Sequence, residues 1–266
     1  MRGLATPDST PQPCEPRLAG ARTVVTGGSS GIGAGIAKAF AGAGATVLVT
    51  YRRSEAAALA VADHIAARGG RALVARADLG TRAGCEALVA EARERLGGLD
   101  VWVNNAGADV LTGEEADWDW ERKLDLLLAV DVKGTIACSY AAGAVMREQA
   151  GGGAIVNMSW DHVTSGMAGA DPEVFSAVKG AVLAYSKSLA RALAPSVRVN
   201  VVSPGWIETA FGEHADAEFR RSVAESTPLG RWGTPADVAA AALYLASPAS
   251  SFITGQAINI NGGLVM

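Results

Sequence analysis

Two spacings of apolar residues alternate along the chain. Short β-branched or apolar runs fall at residues 23–26, 45–50, 71–77, 101–104, 154–159, 197–202 and 257–260. Each reads as a short strand buried on both faces. Stretches with helical spacing lie between them, at 32–43, 54–68, 84–96, 120–147, 174–193 and 235–245. This alternation predicts βαβ units with right-handed crossovers, hence an α/β protein whose parallel sheet is covered by helices. No linker or internal repeat interrupts it, so one domain is expected over residues 18–266. Ligands of such sheets gather at the carboxyl ends of the strands. The Gly, Asn and Pro residues at those ends are therefore the first candidates for chemistry.

Composition narrows the classes. With 49% apolar and 19% charged residues over 266 positions, the chain is a folding sequence and not a disordered one. Its 23 Lys and Arg against 27 Asp and Glu leave a net charge of −4, which argues against binding nucleic-acid phosphates. No uninterrupted apolar run reaches the roughly 18–20 residues of a membrane span. Residues 1–17 are rich in Pro and small polar residues, lack a signal peptide's apolar centre, and read as a flexible arm. Cys14, Cys85 and Cys138 show no Cys-x-x-Cys spacing, which points to reduced thiols in the cytoplasm. His64, His162 and His214 are scattered, so no metal site is expected. The partner implied is a small-molecule substrate.

Glycine is in excess, and its placement is informative. Thr26-Gly27-Gly28-Ser29-Ser30-Gly31-Ile32-Gly33 joins the first strand to the first helix. Such a turn lets a pyrophosphate approach the backbone and the positive end of the helix. Further along come Asn104-Asn105-Ala106-Gly107, then Asn200-Val201-Val202-Ser203-Pro204-Gly205-Trp206-Ile207-Glu208-Thr209, then Thr254-Gly255-Gln256 and Asn261-Gly262-Gly263. In this order and at these separations, the motifs resemble the short-chain dehydrogenase/reductase family in its single-domain branch. The resemblance runs from about Leu18 to the end of the chain.

It implies a seven-stranded, doubly wound, Rossmann-like sheet, a bound NAD(H) or NADP(H), and a homotetramer or homodimer. It also assigns cofactor residues. Gly27, Ser29, Ser30, Gly31, Ile32 and Gly33 match the pyrophosphate and ribose loop, and Asp78 and Leu79 the adenine-contacting pair. Asn105, Ala106 and Gly107 match the segment beside the adenine ribose. Pro204, Gly205, Ile207 and Thr209 match the stretch at the nicotinamide carboxamide. The second strand ends in Thr50-Tyr51-Arg52-Arg53, with no acid to hold both ribose hydroxyls of NAD. Arg52 and Arg53 offer charge-assisted forks to a 2′-phosphate, so NADP(H) is expected over NAD(H). The alternative is that both arginines are solvated surface charges.

The family's chemistry rests on Ser, Tyr and Lys, with Asn behind them, and here the resemblance breaks. Where Tyr-x-x-x-Lys is expected, the chain reads Phe175-Ser176-Ala177-Val178-Lys179. Lys179 stands, but Phe175 has no exchangeable proton. Tyr51, Tyr140, Tyr185 and Tyr244 are all out of register. Counting along the fifth strand puts Trp160 at the Ser place; counting back from Phe175 puts His162 there. Asp131 replaces the Asn and should pair with Lys179, directly or through water. The cofactor side is intact while the reacting side has changed, the pattern of a repurposed pocket.

Three readings remain open. The first is an NADP(H)-dependent reductase of an imine, an iminium or an activated carbonyl. An iminium already carries its charge and needs no strong acid, Asp161 or His162 could supply a proton or balance the cation, and Trp160 and Phe175 could flank it. The second is a non-redox cyclase, isomerase or dehydratase using Asp131, Asp161, His162 and Lys179 as acid–base groups. The third is a dinucleotide-binding protein without turnover. Residues 206–230 correspond to a substrate lid in relatives.

Overall fold

The computed structural model describes residues 17–209, 212 and 215–266. The flexible arm expected at 1–17 lies outside them but for Arg17, as do Ala210, Phe211, Glu213 and His214 of the expected lid. The β-branched runs form seven strands: β1 Arg22–Val25, β2 Thr46–Tyr51, β3 Arg71–Arg76, β4 Val101–Asn104, β5 Gly153–Met158, β6 Val197–Pro204 and β7 Ala257–Ile260. They pair in parallel in the order β3-β2-β1-β4-β5-β6-β7. Thr23 of β1 stands opposite Val47 of β2 on one side and Val101 of β4 on the other. The strand order reverses there, which opens a crevice at the carboxyl ends of β1 and β4.

The helices are α1 Gly31–Gly42, α2 Glu55–Ala66, α3 Arg82–Leu96, α4 Trp120–Leu127, α5 Thr135–Glu148, α6 Ala170–Leu193, α7 Ala217–Ser226 and α8 Pro235–Ala246. On one face of the sheet, α1, α2 and α8 bury Ile36, Phe40, Val61, Val238 and Leu245 against Val47 and Val49. On the other, α3, α5 and α6 bury Leu88, Met146 and Leu189 against Trp102 and Ile155. Full burial of side chains of this size contributes about 1.5–3 kcal/mol each. Under β4 and β5, Asn104 Nδ2 donates to Asn157 Oδ1 at 2.8 Å, and Asn157 Nδ2 to Ser186 Oγ at 2.8 Å. The polar groups buried there are thus paired, which ties α6 to the middle of the sheet.

Two elements differ from the sequence expectation. The single helix expected at 120–147 is divided, because residues Leu128–Gly134 form a π-helical segment between α4 and α5. A Leu- and Val-rich run without Pro carries no breaker signal, so periodicity alone does not show the wider turn. The whole run Trp120–Glu148 is long and apolar enough to cross a membrane, yet half of its most apolar stretch is buried within the fold. The helix expected from 174 begins at Ala170. Pro172 sits in its first turn, where a missing N–H costs nothing.

Candidate active site

The glycine-rich turn between β1 and α1 lies at the crevice. Gly27 has φ +60°, and a Cβ there would stand 2.9 Å from Ala106 Cα. A Cβ on Gly33 would stand 2.2 Å from Gly27 O. Only hydrogen at these positions lets α1 begin this close to the Asn105-Ala106-Gly107 loop. Thr26 Oγ1 accepts from the backbone N–H groups of Asn105 and Ala106 at 3.0 Å each. Asn105 Nδ2 returns bonds to Thr26 O and Gly27 O at 3.0 and 3.1 Å. Ser30 caps α1 in an extended conformation with no side-chain cap bond, so the helix start and its hydroxyl stay available to an anion.

A cleft of about 510 Å³ runs over this turn. Gly27, Ser29, Ser30, Gly31, Ile32, Gly33, Arg52, Arg53, Asp78, Leu79, Asn105, Ala106, Gly107 and Thr209 all line it. Arg52 is half-buried and Arg53 exposed, with Arg53 Nη1 3.3 Å from Glu115 Oε1. A second cavity, of about 490 Å³, adjoins the first and shares Ile32, Asn105, Asp109 and Thr209 with it. Lys179, Pro204, Gly205 and Ile207 line this one, together with Trp160 and Phe175. The backbone cradle, the free helix start and the basic strand end suit a dinucleotide diphosphate.

Lys179 Nζ stands 2.8 Å from Asp131 Oδ2, and both residues are buried. The contact is an ion pair by distance and not an aligned hydrogen bond. The backbone N–H of Ala108 donates to Asp131 Oδ1 at 2.8 Å and fixes the carboxylate. The π-helical segment carries Asp131 into this position. Lys179 Nζ also lies 5.3 Å from the centroid of the Phe175 ring. Trp160 meets Phe175 nearly edge-to-face, with centroids 5.4 Å apart and planes at 67°. Ser159 Oγ donates to Lys179 O at 2.9 Å, so the one serine of this wall is committed to the backbone. Among the described residues no tyrosine lines the cavity.

Asp161 and His162 are placed otherwise than a role in proton supply suggests. Neither lines the cavity. Asp161 is buried, 1% exposed. It accepts from His162 Nδ1 at 2.7 Å through Oδ1 and from Asn261 Nδ2 at 3.1 Å through Oδ2. The His162 ring stacks behind Trp160, with centroids 4.8 Å apart and planes at 29°. Sequence reasoning missed Asn261 as the partner of Asp161, and also missed Met167, Asp171 and Pro172 as cavity wall. Pro172 was the available signal, since a Pro in a first turn marks a helix start at the strand edge.

Known proteins agree with this architecture. The family described as enoyl-(acyl carrier protein) reductase matches residues 27–265. An uncharacterized oxidoreductase of Methylorubrum extorquens is 40% identical over 254 residues, covering 93% of this chain and 99% of that protein. A 7α-hydroxysteroid dehydrogenase, solved with NADH and 7-oxo glycochenodeoxycholic acid, superposes with a TM-score of 0.85 at 31% identity, over 94% of this chain and 96% of its own. A short-chain dehydrogenase from Burkholderia cenocepacia in complex with NADP superposes with a TM-score of 0.82 at 34% identity, over 93% and 99% of the two chains.

Proposed function

The chain belongs to the short-chain dehydrogenase/reductase family of oxidoreductases, and on that premise we propose that it reduces an imine or iminium carbon, or an activated carbonyl, with NADP(H) as the preferred dinucleotide. One observation carries this reading. Lys179 faces a cavity wall made of Phe175 and Trp160, with Asp131 as its ion-pair partner and, among the described residues, no tyrosine on that wall. A neutral carbonyl gains negative charge on oxygen as it is reduced and wants a proton donor there. An iminium carbon starts cationic and ends as a neutral amine, so the missing hydroxyl costs it little. The aromatic walls favour such a cation.

When bound, the dinucleotide supplies hydride transfer at its nicotinamide. The chain's own residues do the rest. Gly27 to Gly33 hold the diphosphate, and Asp78, Leu79 and Asn105 to Gly107 flank the adenosine side. Arg52 and Arg53 would take the 2′-phosphate, Lys179 would hold the nicotinamide ribose, and Pro204, Gly205, Ile207 and Thr209 would border the carboxamide. The Asp131 carboxylate keeps the Lys179 ammonium in place. The assembly we infer is a homotetramer or homodimer, which sedimentation would read directly.

The test follows NADPH absorbance with a panel of cyclic imines, simple ketones and enones. Imines should consume NADPH and simple ketones should not. NADPH left untouched by every member of the panel overturns the reading. Product without NADPH loss assigns non-redox catalysis instead, and tight dinucleotide binding without product assigns a binding role. The double variant Phe175→Tyr with Trp160→Ser should gain ketone reduction.

A further inference from the structure

We propose that the corner between Trp160 and Phe175 is a platform for a planar, conjugated ring of the substrate, and that His162, Asp161 and Asn261 are positioning residues that set the plane of that platform. The rings of Trp160 and Phe175 stand at 67° with centroids 5.4 Å apart, and both line the cavity. Two rings that touch at this angle form a corner and not a slot. A flat ring laid along one of them meets the other with its edge. A puckered saturated ring fills the same volume but matches neither. The neighbouring wall residues Met158, Met167 and Pro172 are apolar and add no competing polar partner. Thioethers also make favourable contacts at ring edges.

Such a platform works only if the indole cannot turn, and the structure supplies a reason that it does not. One face of Trp160 is covered by the His162 ring, at 4.8 Å and 29°. His162 cannot swing, because its Nδ1–H donates to Asp161 Oδ1 at 2.7 Å. Asp161 cannot swing either, because its other oxygen accepts from Asn261 Nδ2 at 3.1 Å. Gly205 is what admits the carboxylate there. A Cβ on Gly205 would stand 2.9 Å from Asp161 Oδ2 and 2.7 Å from Asn261 Cβ. The indole is thus held from behind by a chain of contacts running through His162 and Asp161 to Asn261. The reductase reading supplies the reacting bond of the same cavity; the platform concerns only the ring that carries it.

The test uses an unreactive pair, so that its outcome is independent of turnover. Calorimetric titration of the full chain loaded with NADP+ compares naphthalene-2-carboxamide with its saturated decahydronaphthalene counterpart. The planar amide should bind about tenfold more tightly, the upper range of one good aromatic pair. His162→Gln keeps a donor for Asp161 and removes the flat ring; it should lower the ratio to about threefold or less without a matching fall in melting temperature. Trp160→Leu leaves Asp161 and Asn261 in contact and should abolish the preference by itself. Equal binding of the two amides by the unaltered protein overturns the proposal, and so does a full preference retained in His162→Gln. If no imine consumes NADPH yet the planar preference holds, the platform stands and the reductase reading falls. If imines are reduced without planar preference, the reverse is true.

Discussion

The dinucleotide cleft and the cavity beside it share Ile32, Asn105 and Thr209, yet they are built from different materials. The cleft is a backbone structure. Its shape depends on Gly27 and Gly33, where any side chain would collide with main-chain atoms. The cavity is a side-chain structure, walled by Trp160, Phe175, Met158 and Met167 on elements whose backbones those side chains do not dictate. A site made of backbone can be kept or lost, but hardly edited. A site made of side chains can be rewritten one residue at a time.

The largest effect should come from the buried ion pair beside the cavity. Asp131→Ala leaves the Lys179 ammonium buried without its partner, and breaking such a pair costs about 3–5 kcal/mol. Asp131→Asn, which keeps an acceptor for the Ala108 N–H, should cost only about 1–2 kcal/mol. Urea denaturation reads both, and equal losses would show that the charge carries the whole effect and the Ala108 bond none of it. Next comes Gly33→Val on the cleft side. Overpacking of this kind costs about 1–3 kcal/mol, and dinucleotide affinity should fall by more than about tenfold. If the variant binds NADPH normally, the cleft is not the rigid backbone site described. A smaller and more selective effect is expected of Arg52→Ala with Arg53→Ala. Lost charge-assisted bonds should weaken NADPH about tenfold while NADH binding stays within about twofold; parallel losses would break the assignment of these residues to the 2′-phosphate.

The smallest effect concerns the support behind the cleft. Pro235 of α8 approaches α1 so closely that a Cβ on Gly35 would stand 2.9 Å from it. The start of α8 is locked by a capping box in which Thr234 and Asp237 bond each other's backbone N–H groups. Arg231 adds a two-pronged contact at 2.8 and 2.9 Å. The Arg231 guanidinium and the Thr234 N–H hold the Asp237 carboxyl well below the usual carboxylate range. Its folded pKa is depressed, so its contribution is present above the unfolded value of about 4 and fades as pH falls through the folded one. Asp237→Asn should therefore cost about 1 kcal/mol near neutral pH, and the gap in melting temperature should close as the solution is acidified below about pH 4.

How much of this was legible in the chain depends on the distance over which each feature is decided. The strands were visible because their β-branched runs are bounded by Gly, Asn and Pro. The glycine-rich cleft was visible because its cradle is written within eight consecutive residues. The π-helical segment at Leu128–Gly134 was not visible, since an apolar run without a breaker reads the same for either turn width. Asp161 and His162 could be singled out as polar residues at a strand end, but not where they point. Their direction is decided by Asn261, a hundred positions further along, and by the room left at Gly205. The nearness of Phe175 to Lys179 needed only their four-residue spacing, which is local to one helix.

That contact between Asp161 and Asn261 also has a consequence for how the protein is made. During synthesis the glycine-rich turn and its first strands leave the ribosome early and can pair at once. The residue that pins Asp161, Asn261, follows it by 100 positions. Trp160 therefore gets its fixed backing only after about a hundred further residues have been made, long after the glycine-rich turn can form.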